Sequence, residues 1–85
     1  MKPVTVYTTT YCGFCRRAKS FLQERNIPFH EVDVTDDAAA REMLVQRTGQ
    51  RTVPQIFFGE ESVGGYSDLK ALADAGNLDA RLGRM

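Results

Sequence analysis

Hydrophobic positions change period several times along the chain, and each change marks an element. Val4-Thr5-Val6-Tyr7 is a β-branched and aromatic run that predicts a short buried strand. Phe14, Ala18, Phe21 and Leu22 then recur at helical spacing, predicting a helix from Gly13 to Arg25 that Asn26 and Pro28 stop. Phe29-His30-Glu31-Val32-Asp33-Val34 alternates apolar and polar, the pattern of a second strand with one buried face. Thr35-Asp36-Asp37 offers an N-cap and first-turn acids to a helix that runs through Ala40, Met43 and Leu44 and ends near Gly49. After the turn-prone Gly49-Gln50-Arg51-Thr52, the runs Gln55–Phe58 and Ser62-Val63 flank a turn at Gly59-Glu60-Glu61 and read as a β-hairpin. Gly64-Gly65 follows, and Ser67 is placed to cap a helix carrying Leu69, Leu72 and Ala73 that Gly76 ends. A last short turn puts Leu78 and Leu82 on one face.

The predicted order is therefore β-α-β-α-β-β-α. A helix between the first two strands makes them parallel through a crossover, and a tight hairpin makes the last two antiparallel. The expectation is an α/β fold: a four-stranded mixed sheet with helices on both faces. Eighty-five residues suffice for one small domain, 1–85, with no repeat, low-complexity tract or linker.

Charge changes this picture only locally. Lys plus Arg and Asp plus Glu number 11 each, so no overall field favours nucleic acid or a membrane. Residues 16–25, however, carry Arg16, Arg17, Lys19 and Arg25 against Glu24 alone, while residues 31–42 are acidic. The basic stretch suits a small anionic partner. The apolar runs are far too short to span a bilayer, and the chain opens Met-Lys-Pro without an apolar leader, so a soluble cytoplasmic protein is expected.

The chemistry centres on Thr10-Tyr11-Cys12-Gly13-Phe14-Cys15-Arg16-Arg17, which holds both cysteines of the chain. The pair falls where a strand ends and a helix begins. There the first helical N–H groups lack partners and the helix dipole adds partial positive charge, which favours an anionic sulfur, the reactive form. Arg16 and Arg17 have the sign to help. A zinc site would need four ligands, and His30 is the one other soft candidate, alone on the second strand. Two cysteines at this spacing after a strand point instead to disulfide exchange. Cys12, nearest the helix start, is the expected attacking thiol; Cys15, one turn deeper, the resolving thiol.

Other stretches admit two readings each. Pro54 after Thr52-Val53 is tolerated at a strand start, or it marks a cis bond that turns the Val53 backbone outward to dock a peptide-like substrate. Gly64-Gly65-Tyr66-Ser67-Asp68 is a turn into a capped helix, or a helix N-terminus that receives a carboxylate while Asp68 meets an ammonium group; the two are compatible. Tyr11 and Phe14 are core, or a rim that limits water near the sulfur. Arg41, Arg47 and Arg51 are solvated surface residues unless the ligand brings a second carboxylate.

Taken in order, Tyr7-Thr8, Cys12-Gly13-Phe14-Cys15, Thr52-Val53-Pro54-Gln55-Ile56-Phe57 and Gly64-Gly65-Tyr66-Ser67-Asp68-Leu69 resemble the glutaredoxins across essentially the whole chain, above all the short bacterial-type dithiol members. The resemblance implies a thioredoxin fold, a cis Val53–Pro54 bond, and a glutathione-dependent thiol-disulfide oxidoreductase with Cys12 and Cys15 as catalytic residues. It implies glutathione as co-substrate, with no bound cofactor or metal, lying along Tyr11, Phe14, Arg41, Thr52, Val53, Pro54, Gly65, Tyr66, Ser67 and Asp68. Its cysteinyl part would pair with the Val53 backbone, its glutamyl carboxylate with N–H groups at Tyr66-Ser67 or Ser67-Asp68, and its ammonium with Asp68. Arg41 matches a helix position near the glycyl carboxylate. Partners would be glutathionylated or disulfide-bonded proteins, and the protein a monomer.

Two positions depart from the family pattern. Thr9 stands where many members have lysine, leaving Arg16 or Arg51 to substitute, and Gly13 stands where proline is common, which frees the loop and keeps an N–H. Gly13 also makes the motif similar to the Cys-Gly-Phe-Ser signature of single-cysteine glutaredoxins, which hold a two-iron two-sulfur cluster between two protomers with two glutathiones. Glutathione-ligated cluster binding as a homodimer is thus the alternative, although Tyr7 to Cys12 leaves no room for the insertion those proteins carry. Visible absorbance after anaerobic reconstitution separates the two. A redoxin that draws electrons from thioredoxin reductase, and a binding module with structural cysteines, are the other rivals.

Overall fold

A computed structural model of the chain describes residues 1–84. The strands are β1 (Val4–Thr8), β2 (His30–Asp33), β3 (Gln55–Phe58) and β4 (Glu61–Gly64). The helices are α1 (Gly13–Glu24), α2 (Ala38–Thr48), α3 (Tyr66–Asp74) and a five-residue α4 (Leu78–Leu82). The sheet order is β2-β1-β3-β4, with β1 parallel to β2 and antiparallel to β3, and β4 antiparallel to β3. This is the four-stranded mixed sheet that the pattern predicts.

Side-chain alternation in β1 sorts the two faces. Val4 and Val6 join Ile56 and Phe58 of β3 beneath Ala18, Phe21 and Leu22 of α1, Leu69 of α3, and Leu78 and Leu82 of α4. On the opposite face the Tyr7 ring meets Phe57 edge-on at 5.6 Å, and α2 reaches the same face through Arg47, stacked 4.6 Å above Phe57. Thr48 Oγ1 also donates to Gln55 Oε1 at 3.0 Å. All of β3 is buried because it is central and covered on both faces.

Several local expectations are corrected. Phe14 does not join the buried stripe of α1, which is Cys15, Ala18, Phe21 and Leu22; its ring, in the first turn, stays exposed. Met43 is exposed because α2 presses the sheet with a narrow stripe in which Leu44 alone is fully buried. The second strand is shorter than its alternation suggests and lies at the sheet edge. Ser67 does not cap α3: the N-cap is Gly65, and Asp68 accepts from its N–H at 2.9 Å. Asp37 does cap α2, accepting from Ala40 N–H at 3.0 Å. Asn26, at φ 57°, ends the α1 turn in the left-handed region that Asn tolerates.

Candidate active site

Strand β1 carries the chain to the open end of the sheet, and α1 starts there. Cys12 is the N-cap of α1, extended at φ −106° and ψ 112°, and its sulfur accepts from the Cys15 N–H at 3.2 Å. That is the role a Ser or Asp side chain usually plays at a helix start. The Cys12 sulfur also lies 3.5 Å from the Val53 carbonyl oxygen, to which its thiol donates. Cys12 is half-buried, whereas Cys15 is 1% exposed and belongs to the buried face of α1.

Burial distinguishes the two sulfurs. It pushes the Cys15 thiol up to about 12, the neighbouring Cys12 adds to the rise, and a hydrogen bond from the Thr9 backbone opposes it. Cys15 therefore remains a protonated thiol at neutral pH. Both cysteines are free, and the less buried of the two is the one a disulfide can reach.

Beside Cys12 lies a cleft of about 250 Å³ lined by Phe14, the segment Thr52–Pro54 and the helix start Gly65–Asp68. Eight of the expected ligand-binding residues thus share one concavity. The Val53–Pro54 bond is cis, and among the described residues nothing accepts from the Val53 N–H. At the far wall the N–H groups of Tyr66, Ser67 and Asp68 open α3 without intrahelical partners, the first closed bond being Leu69 N–H to Gly65 O. The wall offers an anion three donors, and the Asp68 carboxylate stands among them.

Gly64 makes this wall possible. It sits at φ +111°, and a Cβ there would collide with the Asp68 carboxylate. The Gly-Gly pair signals this in the sequence, but only the fold shows that a side chain, not the ligand, is what Gly64 makes room for.

The remaining expected residues lie elsewhere. Tyr11 and Arg41 are not in the cleft: Tyr11 is 68% exposed, and Arg41 Nη1 donates to its hydroxyl at 3.4 Å. Arg41 lines a separate hollow with Arg51, whose guanidinium lies 3.9 Å from Glu42. Thr9 is turned inward with its hydroxyl unpartnered, so it presents nothing to a ligand. Arg17, not singled out as a contact, stacks 5.3 Å above Phe14 and holds that ring at the cleft mouth. Among the described residues no three His, Cys, Asp or Glu side chains converge on a metal-sized position.

Comparison with known proteins gives one answer. The glutaredoxin family model matches residues 4–63. A glutaredoxin from Pseudomonas aeruginosa is 46% identical over 82 residues, spanning 96% of this chain and 98% of that protein. Glutaredoxin 3 of Escherichia coli K12 is 42% identical over 82 residues, spanning 96% and 99%. Among solved structures, the crystal structure of a buckwheat glutaredoxin–glutathione complex superposes with a TM-score of 0.89 at 30% identity, covering 96% of this chain and 77% of that one. The solution structure of a Brucella melitensis glutaredoxin gives 0.85 at 39% identity, covering 100% and 95%.

Proposed function

This chain belongs to the glutaredoxin family, with a thioredoxin fold and a thiol-disulfide oxidoreductase's cysteine pair, and on that premise we propose that glutathione is its electron donor. The observation that carries the reading is the cleft shared by Thr52–Pro54 and Gly65–Asp68 within reach of the Cys12 sulfur. Glutathione has two carboxylates, one ammonium and a peptide-like middle. The α3 N-terminus matches the glutamyl carboxylate, Asp68 the ammonium, and the unpaired Val53 N–H the cysteinyl backbone. Phe14 forms part of the cleft lining. In this reading Tyr11 and Arg41 form an outer contact for the glycyl end, beyond the cleft proper. The buckwheat relative's crystal structure is of a complex with glutathione, which supports the same ligand class here.

The reaction follows from the two sulfurs. The Cys12 thiolate attacks the glutathione sulfur of a protein–glutathione disulfide. That S–S bond breaks, a Cys12–glutathione disulfide forms, and the protein leaves as a thiolate that takes up a proton. A second glutathione thiolate attacks the bound glutathione sulfur, which releases Cys12 and yields oxidised glutathione. With a protein disulfide, the Cys12 thiolate attacks one protein sulfur, the protein S–S bond breaks, and the other sulfur leaves as a thiolate that takes up a proton. Cys15 then attacks the Cys12 sulfur, its proton passing to the departing thiolate, and two glutathiones restore the dithiol. Exchange rates depend on the thiolate fraction of the attacker and on the leaving thiol's pKa, so Cys15, held protonated by burial, acts only once it is adjacent to a disulfide.

On this reading glutathione is a co-substrate, not a resident cofactor. The protein works as a monomer in a reducing, cytoplasmic setting on glutathionylated or disulfide-bonded proteins. A hydroxyethyl-disulfide assay coupled to glutathione and its reductase tests it, run on wild type and Cys12→Ser. Turnover in wild type and none in the variant is expected; turnover only with thioredoxin reductase as the source of electrons would overturn it.

A further inference from the structure

A second, larger concavity of about 420 Å³ adjoins the active cleft between α1 and α3, lined by Arg16, Arg17, Ser20, Phe21, Glu24 and Tyr66. Helical spacing generates it. Arg16, Ser20 and Glu24 succeed one another four residues apart on α1, and Arg17 and Phe21 form the parallel row. Tyr66 belongs to both concavities. Its ring lies 6.4 Å from Phe14 and 6.2 Å, edge-on, from Phe21, so an aromatic row runs unbroken from the mouth beside Cys12 into the groove.

The charges along this row are polarised. Arg16 and Arg17 flank the end nearest the cysteines, while Glu24 closes the far end. Arg25 lies 3.7 Å above the Phe21 ring. Among the described residues none of these three arginines takes part in an ion pair; Lys19, the other cation of this helix, is engaged by Glu31.

We propose that this groove docks the polypeptide flank of a disulfide substrate, as an extended segment with carboxylates within a few residues of its reactive cysteine. Glutathione is too small to occupy both concavities. A disulfide substrate has two arms, and the groove is continuous with the cleft through Tyr66. The arm carried on the protein side finds the Phe14 and Tyr66 rings for its backbone and side chains, with the largely buried Phe21 beneath, and the guanidiniums of Arg16 and Arg17, neither of them in an ion pair, for its acids. Glu24 repels carboxylates placed further along, so the groove reads their position as well as their sign. The proposal rests on Cys12 as the attacking thiol and does not depend on glutathione.

The test uses three synthetic peptides of equal length, each with one cysteine in mixed disulfide with thionitrobenzoate, flanked by Glu, Gln or Lys. Pre-reduced protein attacks the peptide sulfur, a Cys12–peptide disulfide forms, and coloured thionitrobenzoate leaves as a thiolate. The readout is the ratio of rate constants for the Glu and Lys peptides, in which any effect on Cys12 itself cancels. For wild type at low ionic strength the ratio should be about tenfold or more, falling toward one at high salt. Arg16→Glu with Arg17→Glu should invert it. Ser20→Trp, which fills the groove without changing charge, should bring the Glu peptide down to the Gln peptide.

A ratio near one in wild type would overturn the proposal. So would a preference that survives Ser20→Trp, since the arginines would then act as a distant field and not as a docking site. The hydroxyethyl-disulfide assay fails or succeeds independently, because no glutathione enters the peptide reaction.

Discussion

The backbone N–H of Cys15 donates to the sulfur of Cys12 across 3.2 Å, while the sulfur of Cys15 itself is buried behind it. One residue thus plays two parts. On the reading proposed above, its main chain caps the attacking sulfur, a contact that any residue except proline can supply, and its buried side chain is the resolving thiol. The two parts separate by mutation. Cys15→Ser should retain turnover of glutathione mixed disulfides and lose reduction of protein disulfides, whereas Cys12→Ser should lose both by about a thousandfold or more. Insulin reduction beside hydroxyethyl-disulfide turnover, on the two variants, reads this directly.

Burial of Cys15 also sets a pH dependence. Its thiol ionises at about 12 in the folded protein and near 9.0 when exposed, so between those values the unfolded chain has lost a proton that the native state keeps. Stability is therefore full below the lower value and falls as pH rises toward the upper one. The urea midpoint of wild type should drop between about pH 8 and about pH 10.5, and Cys15→Ala should flatten that drop. In the native protein at neutral pH, iodoacetamide should label Cys12 and leave Cys15 intact, as mass spectrometry of the digested product would show.

Acid acts elsewhere. Glu31 Oε2 accepts from Lys19 Nζ at 2.9 Å and from Thr8 Oγ1 at 2.7 Å, tying α1 and β1 to the edge strand β2. Lys19 first, then Thr8, holds the Glu31 carboxyl below its ordinary 4.5. A depressed carboxylate stabilises the fold above that ordinary value, and the contribution is lost as pH falls through the folded one. Because the pair is partly solvated, Glu31→Gln should cost about 1 kcal/mol or less at neutral pH. Its unfolding midpoint should then vary less with pH than wild type's between about pH 6 and about pH 3.

Period and punctuation made most of this fold legible. The order of strands and helices follows from apolar spacing, and the cysteine pair at a strand-to-helix junction marks the reactive centre. What stayed hidden depends on distances between elements. Phe14 has helical spacing yet overhangs the core, because a helix's first turn extends past the sheet that its later turns cover. Met43 looks like part of an apolar face, but the burial of α2 is too narrow to include it. Arg41 carries a charge that could serve the cleft; its partner, the Tyr11 hydroxyl thirty residues earlier, is set by packing alone. Gly65 caps α3 in place of Ser67: it is extended, its carbonyl accepts the first intrahelical bond from the Leu69 N–H, and its own N–H donates to the Asp68 carboxylate.

That Asp68 contact yields the sharpest division between structure and ligand. Gly64, at φ +111°, leaves space that the carboxylate fills in order to reach the Gly65 N–H. Gly64→Ala suffers twice: the left-handed backbone disfavours any side chain, and the new methyl strikes the carboxylate. It should lose about 1–3 kcal/mol of stability and displace Asp68 from the cleft. Asp68→Asn keeps an oxygen for the Gly65 N–H and removes only the charge. Its stability should stay within about 0.5 kcal/mol of wild type, because one exposed cap bond is conserved. Its KM for glutathione should nevertheless rise about tenfold, the scale of a lost partly desolvated ion pair. Urea titration and glutathione kinetics on the same two variants decide the matter. An Asp68→Asn protein with unaltered KM would mean that the carboxylate serves the helix start alone, and that no ammonium group meets it.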